Sequence, residues 1–162
     1  MLLTATRWWR GLRPRVLLKC PQHKQTFADY RVTLTFYLLL LGFLLTHELD
    51  AVACREWRLL YVLRVLPEAT ARTAFIALHV PLIAALAWTT AAAHPAAANA
   101  RLAVAAFALV HAALHYRLRR APAYEFHAPL SIALIAGAAL CGAAYLVVAL
   151  CASPSARHND TW

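Results

Sequence analysis

The sequence predicts an all-α integral membrane protein: a four-helix bundle with a short interfacial amphipathic helix after the first span. Three observations carry this reading. The chain is 62% hydrophobic and only 14% charged, too apolar for an ordinary soluble fold of 162 residues. Its apolar residues are gathered into four long runs, each close to the roughly 20 helical residues that a bilayer core requires. The runs are separated by short segments rich in arginine, histidine and proline, as expected of loops at the two membrane faces.

The parts follow in order. Residues 1–31 form a basic arm, in which Arg7, Arg10, Arg13, Arg15, Lys19, Lys24 and Arg31 stand against Asp29 alone. Trp8 and Trp9 sit among these arginines, an arrangement suited to anionic headgroups and the interface. The arm has no apolar core followed by small residues, so it does not read as a cleavable secretory signal. Nor do basic and base-stacking aromatic residues alternate beyond it, which excludes a nucleic-acid partner. The arm reads as flexible, and the partner implied is the lipid bilayer.

Residues 32–152 form the four-span domain, with spans expected over about 32–49, 73–93, 100–116 and 128–152. The first span ends in Thr46-His47-Glu48-Leu49-Asp50, a polar stretch with no helix breaker. If the helix continues, His47, Asp50 and Cys54 share one stripe, and Glu48 points about 100° away. From Ala51 to Leu66, Trp57, Leu60, Tyr61 and Arg64 recur at helical spacing, the mark of an amphipathic helix lying in the interface. On that helix Glu56 reads as a surface partner of Arg55 or Arg58. Pro67 closes the segment. The second span carries His79 and Pro81, and the proline is expected to kink it beside the histidine. Asn99 is a candidate N-cap for the third span, where His111 and His115 stand four residues apart on one face. Pro129 opens the fourth, in which Ala133, Gly137 and Cys141, and separately Ala138 and Gly142, form ladders of small residues for close helix packing. Residues 153–162 form a polar tail.

Four spans place both termini on one side of the membrane and the two longer polar loops on the other. His47, Glu48, Asp50, His79, His111, His115, Glu125 and His127 then all fall in the half of the bundle near those loops. Ionisable groups inside a membrane are costly; they usually face inward and meet one another. This convergence predicts a centre for a divalent transition metal, Zn, Fe or Mn, with His47, Asp50, His79, His111, His115 and His127 as ligands. Glu48 and Glu125 are the candidate catalytic carboxylates. The chemistry expected is metal-assisted hydrolysis or oxidation of a lipid-like substrate. Haem held between His79 and His111 fits less well, because a carboxylate-rich surround suits a hard metal better. The same residues also fit a proton or solute pathway, or polar contacts that serve only assembly.

The four cysteines, Cys20, Cys54, Cys141 and Cys151, form no Cys-x-x-Cys pair and no disulfide framework. His23, His94 and His158 read as solvated loop residues. The excess of arginine over lysine and the alanine-rich second half match a GC-rich bacterial genome, and so an inner (plasma) membrane location. The basic arm favours a cytoplasmic N-terminus over the seven arginines of the opposite loops.

His47-Glu48-Leu49-Asp50-Ala51, Glu56-Trp57-Arg58-Leu59-Leu60-Tyr61, Leu66-Pro67-Glu68, His79-Val80-Pro81, the His111 to His115 pair and Tyr124-Glu125-Phe126-His127 together resemble a family of small bacterial multi-span membrane proteins of unknown function. The resemblance covers about residues 30–150. More loosely, the chain is similar to the membrane family named for a His-x-x-Glu-Glu motif, although here His47 is followed by Glu48 and Asp50 without a double glutamate. Both resemblances imply a membrane protein; neither implies a reaction or a ligand set.

Overall fold

The computed structural model describes residues 27–91 and 95–152. Most of the basic arm, the loop histidines His23, His94 and His158, Cys20 and the polar tail lie outside the described residues. Four long helices make up the fold: α1 (Phe27–Ala53), α2 (Glu68–Ala91), α3 (Pro95–Leu118) and α4 (Pro129–Ala152). All four are long and apolar enough to cross a membrane. At about 1.5 Å per residue each runs 36–40 Å, more than the roughly 30 Å hydrocarbon core.

The helices outrun the apolar windows that announce them, for local reasons. Nothing in the sequence breaks α1 after Leu45, so it carries His47, Glu48 and Asp50 within its last two turns. α2 starts at Glu68 rather than near residue 73 because the Pro67 carbonyl accepts the first helical bond, from Ala71 N at 2.9 Å. Glu68 then sits in the first turn, where the helix dipole favours an acid. α2 runs on through Pro81. α3 starts at Pro95, a residue preorganised for a first helical turn, so Asn99 is an internal position and not a cap. Arg117 stands in the last turn of α3 with the charge sign the dipole prefers.

The expected interfacial helix is realised as one 3₁₀ turn, Glu56–Arg58, followed by hydrogen-bonded turns, rather than as an α-helix from Ala51 to Leu66. The cause is Arg55, which takes left-handed φ 52 and ψ 46 and ends the helical register at α1. The connection folds back over the end of the bundle, burying Trp57 and Leu63. Trp57 Nε1 donates to Glu68 Oε1 at 3.2 Å, and its ring packs on Phe75 with centroids 5.7 Å apart.

The bundle is asymmetric. α1 and α3 both pack closely on α4, whereas α2 leans on α3 and α1 with far fewer contacts. Two apolar clusters result. One joins Tyr37, Leu40, Leu44, Ala105, Ala138 and Tyr145 along the middle of the bundle; the other gathers Ala51, Trp57, Phe75, Tyr124, Phe126 and Ile135 at the loop end. Between Leu44 and Ala51 of these clusters, α1 places His47. At the opposite end a buried hydrogen bond joins Tyr37 to Thr89. Because the Thr89 hydroxyl donates to the Leu86 carbonyl at 2.7 Å, the phenol is the donor. Arg101 Nη1 donates to the Thr89 carbonyl at 3.2 Å, tying α3 to α2.

The small-residue ladders of α4 serve two neighbours. A Cβ on Gly137 would lie 2.5 Å from Phe43 Cε1 of α1, and one on Gly142 would lie 2.9 Å from the Ala105 carbonyl oxygen of α3. A phenylalanine ring can rotate aside, but a helix backbone cannot. Gly142→Ala is therefore expected to destabilise the bundle by about 1–3 kcal/mol and more than Gly137→Ala does, as read by unfolding in detergent. Equal effects would show that α3 and α4 are not held at backbone contact.

Candidate metal centre

The site begins with the end of α1. His47 and Glu48 are adjacent, so the helical rotation of about 100° sends them to different neighbours. His47 turns inward, 1% exposed, and meets α3: its Nε2 lies 2.9 Å from His111 Nε2. One turn further along α3, His115 is stacked edgewise on both, with ring centroids 5.1 Å from His47 and 4.5 Å from His111. The left-handed turn at Arg55 then brings Glu56 back over the end of α1. Its two oxygens divide between two helices, Oε2 at 3.6 Å from His47 Nε2 and Oε1 at 3.6 Å from His115 Nε2.

His47, Glu56, His111 and His115 each offer a ligand atom, and these atoms all lie within 4.8 Å of one another. A tetrahedral ion with bonds of about 2.0–2.1 Å holds its donors about 3.4 Å apart. The separations of 2.9 and 3.6 Å lie on either side of that value and all fall within 4.8 Å, so three imidazoles and one carboxylate match a divalent transition metal in donor type and could hold one with the wider pairs drawn in.

Outer contacts orient the donors. His115 Nδ1 lies 3.4 Å from the Tyr124 hydroxyl, which leaves Nε2 facing Glu56. Burial, reinforced by the Glu56 charge, raises the Tyr124 phenol above its ordinary value. Phe126 closes the far side, its centroid 5.4 Å from His47 and 4.7 Å from His115. Among the described residues, His47 Nδ1, Asp50 Oδ2 and Ser131 Oγ are buried side-chain atoms without a hydrogen-bond partner. Burial alone would raise the Glu56 carboxyl, but the imidazoles of His115 and His47, each 3.6 Å from one of its oxygens, outweigh it and hold the group down at about 2. Glu56 is therefore an anion inside the bundle.

Beside this cluster lies a second polar pair. Glu48 Oε2 is 2.6 Å from His79 Nε2, and His79 Nδ1 is 2.6 Å from the Phe75 carbonyl. A carbonyl can only accept, so Nδ1 carries a proton, and Nε2 and Glu48 share one more between them. The pair holds one transferable proton whichever side it occupies. It is the Phe75 carbonyl, and not the Ala77 carbonyl freed by Pro81, that His79 satisfies. Because α2 starts at Glu68, His79 stands about 16 Å along it, deeper than the 9 Å that a start at Thr73 implies.

The sequence-predicted residues thus divide. His47, His111 and His115 are brought together. His79 and Glu48 are paired with each other and border the same cavity. Asp50 is outside the cluster, with Oδ1 3.8 Å from Cys54 Sγ. Cys54 remains a free thiol, pushed up by burial and by Asp50. His127 is exposed, its ring against Tyr124 at 5.3 Å. Glu125 lies on the outside of the loops, 3.5 Å from Arg58 and 4.0 Å from Arg55, and so is placed as a surface ion-pair partner. His79 and His111, the pair of the weaker haem alternative, do not face each other: His79 turns both nitrogens to Glu48 and Phe75, and His111 turns to His47.

Glu56 is the residue that helical periodicity misses. Projected along a continuous helix it falls among surface arginines; after the left-handed residue it is buried with the histidines. The signal available was its place in the Glu-Trp-Arg-Leu-Leu-Tyr motif.

A family model matches residues 33–152. The chain belongs to the family of unknown function DUF6713. The matched region takes in all four site residues and most of the four helices, and leaves out the basic arm. No curated protein and no solved structure matches the chain.

The turn at Arg55 is directly testable. A left-handed residue with a side chain costs about 1–2 kcal/mol, and the 4.0 Å contact of Arg55 with Glu125 is half-exposed and of little worth. Arg55→Gly is expected to raise stability by about 1 kcal/mol, and Arg55→Val to lower it by a similar amount or more and to expose Trp57. Thermal unfolding and tryptophan emission in detergent read both. An Arg55→Val protein with unchanged emission and stability would contradict the role given to this turn.

Proposed function

We propose that this DUF6713 protein is a membrane metalloprotein in which His47, His111, His115 and Glu56 hold a divalent transition metal, Zn, Fe or Mn, and which acts on a membrane-soluble substrate. The observation that carries the reading is the convergence of four ligand atoms from α1, α3 and the 3₁₀ turn inside a membrane-spanning bundle. Three imidazoles and one carboxylate suit these ions. With all four residues bound a tetrahedral ion would have no open position, so such a metal would supply Lewis acidity and a water of lowered pKa only at a fifth position or where Glu56 gives up its place.

The chain's own residues have distinct roles in this reading. Tyr124 orients His115, and Asp50, one turn beyond His47 on the same stripe, is the carboxylate available to the unpartnered His47 Nδ1. Glu48 with His79 accepts or donates the proton at the cavity wall. Phe126 and Trp57 keep water from the loop side. The location proposed is a bacterial plasma membrane with the N-terminus in the cytoplasm, supported by the basic arm.

A second reading is favoured by the short His47–His111 and Glu48–His79 contacts, which form proton-sharing pairs without any ion: a proton pathway through the bundle.

Metal content of tag-free protein purified in detergent without chelators separates the two. The expected result is about one metal per chain in the wild type, lost at least tenfold in His111→Ala/His115→Ala and in Glu56→Gln. Tyr124→Phe and Asp50→Asn are expected to weaken binding by about 10–100-fold. A wild type without metal, together with liposome proton flux abolished by His111→Ala, would establish the pathway reading instead.

A further inference from the structure

Where α2 stands off from the other helices, a cavity of about 300 Å³ opens between α2 and α3. Its floor is polar: Glu48, Glu56, His79, His111 and His115 all border it. Its remaining walls are apolar, and their outer members, Leu78, Leu82, Phe107 and Leu114, are between 41% and 59% exposed on the bundle surface. These four lie within α2 and α3, inside the spans. The mouth therefore faces hydrocarbon, while the floor joins both the metal cluster and the proton-sharing pair.

We infer that this cavity is a lateral docking site for a single-chain, uncharged membrane amphiphile with a hydroxyl head, such as a long-chain alcohol. Its polar head reaches the His111 and Glu56 end, and its chain lies between α2 and α3. The inference rests on the metalloprotein reading for the chemistry at the head, but not for the docking of the chain.

Three properties select the occupant. The volume is near the lower bound of small-molecule sites, about 300–1,000 Å³, which admits one chain and excludes a two-chain lipid. Among the described residues no lysine or arginine borders the cavity, so a phosphate or sulfate head would enter beside two glutamates without a countercharge from these walls. The polar floor is enclosed by apolar side chains, so a pure hydrocarbon would desolvate the Glu48 and Glu56 carboxylates without giving them a hydrogen bond; a hydroxyl donates one. A second cavity, bordered by His115, Arg119 and His127 on the other side of α3, reaches only one member of the cluster.

The experiment uses the full chain in lipid nanodiscs and a long-chain primary alcohol bearing a mid-chain diazirine and a terminal alkyne. Crosslinked positions are mapped by mass spectrometry beside metal content. The expected result is saturable labelling of the peptides containing Leu78 and Leu82 and those containing Phe107 and Leu114. The unlabelled alcohol competes at least tenfold better than the alkane of equal length, and Leu82→Trp reduces labelling at least fivefold while the metal stays bound. Labelling spread evenly over the lipid-facing residues of all four helices, without saturation, overturns the inference. So does an alkane that competes as well as the alcohol, a comparison made on the wild type and independent of how any variant folds. Saturable, head-selective labelling of a protein that carries no metal supports the docking site and removes the metal reading alone; bound metal with unsaturable labelling does the reverse.

Discussion

A buried carboxylate sets the terms for this bundle. Glu56 is withdrawn from water among three imidazoles, in surroundings where an isolated charge is very costly. Its anionic form persists only because His47 and His115 reach its two oxygens from different helices. The requirement acts on the backbone as well. α1 has to stop after Ala53, the chain has to reverse at Arg55, and α1 and α3 have to approach closely enough for His47 and His111 to touch. α4 makes that approach possible, by presenting Gly137 to Phe43 of α1 and Gly142 to the Ala105 backbone of α3.

The same constraint accounts for the asymmetry of the helices. α1, α3 and α4 are drawn together by small residues and by the cluster, leaving α2 tethered at its two ends. At one end Trp57 and Arg58 hold Glu68; at the other, Tyr37 and Arg101 hold Thr89. Between these tethers the chief polar link from α2 to α1 is the Glu48 and His79 pair. A helix held at its ends and by one central polar contact leaves room along its length. The cavity lies in that room, where an apolar mouth and a polar floor are both present.

How much of this was legible differs by residue. Four apolar runs of bilayer length are a property of composition along the chain, so membrane class and helix number follow directly. The pairing of His111 with His115, and the divergence of His47 from Glu48, follow from the helical period, because each pair lies on one unbroken helix. Helix ends were less legible. Hydropathy windows stop where polar residues begin, whereas Pro67 and Pro95 start helices outside the apolar core. For Glu125 and His127, depth alone was known. Depth brings residues to one end of a bundle but does not say which side of a loop they occupy, and these two lie on the exposed side, away from the cluster.

By itself, then, the sequence determined an all-helical membrane protein with four spans and with its histidines gathered toward one end, because hydropathy and a 3.6-residue period act locally and survive any packing arrangement. Only the tertiary structure decided the fourth member of the cluster and the cavity. Glu56 enters the cluster through a single left-handed residue, after which the helical projection no longer applies. The cavity exists because α2 is held at its ends while α1 and α3 each close on α4, a balance of contacts between helices to which no stretch of sequence within one helix corresponds.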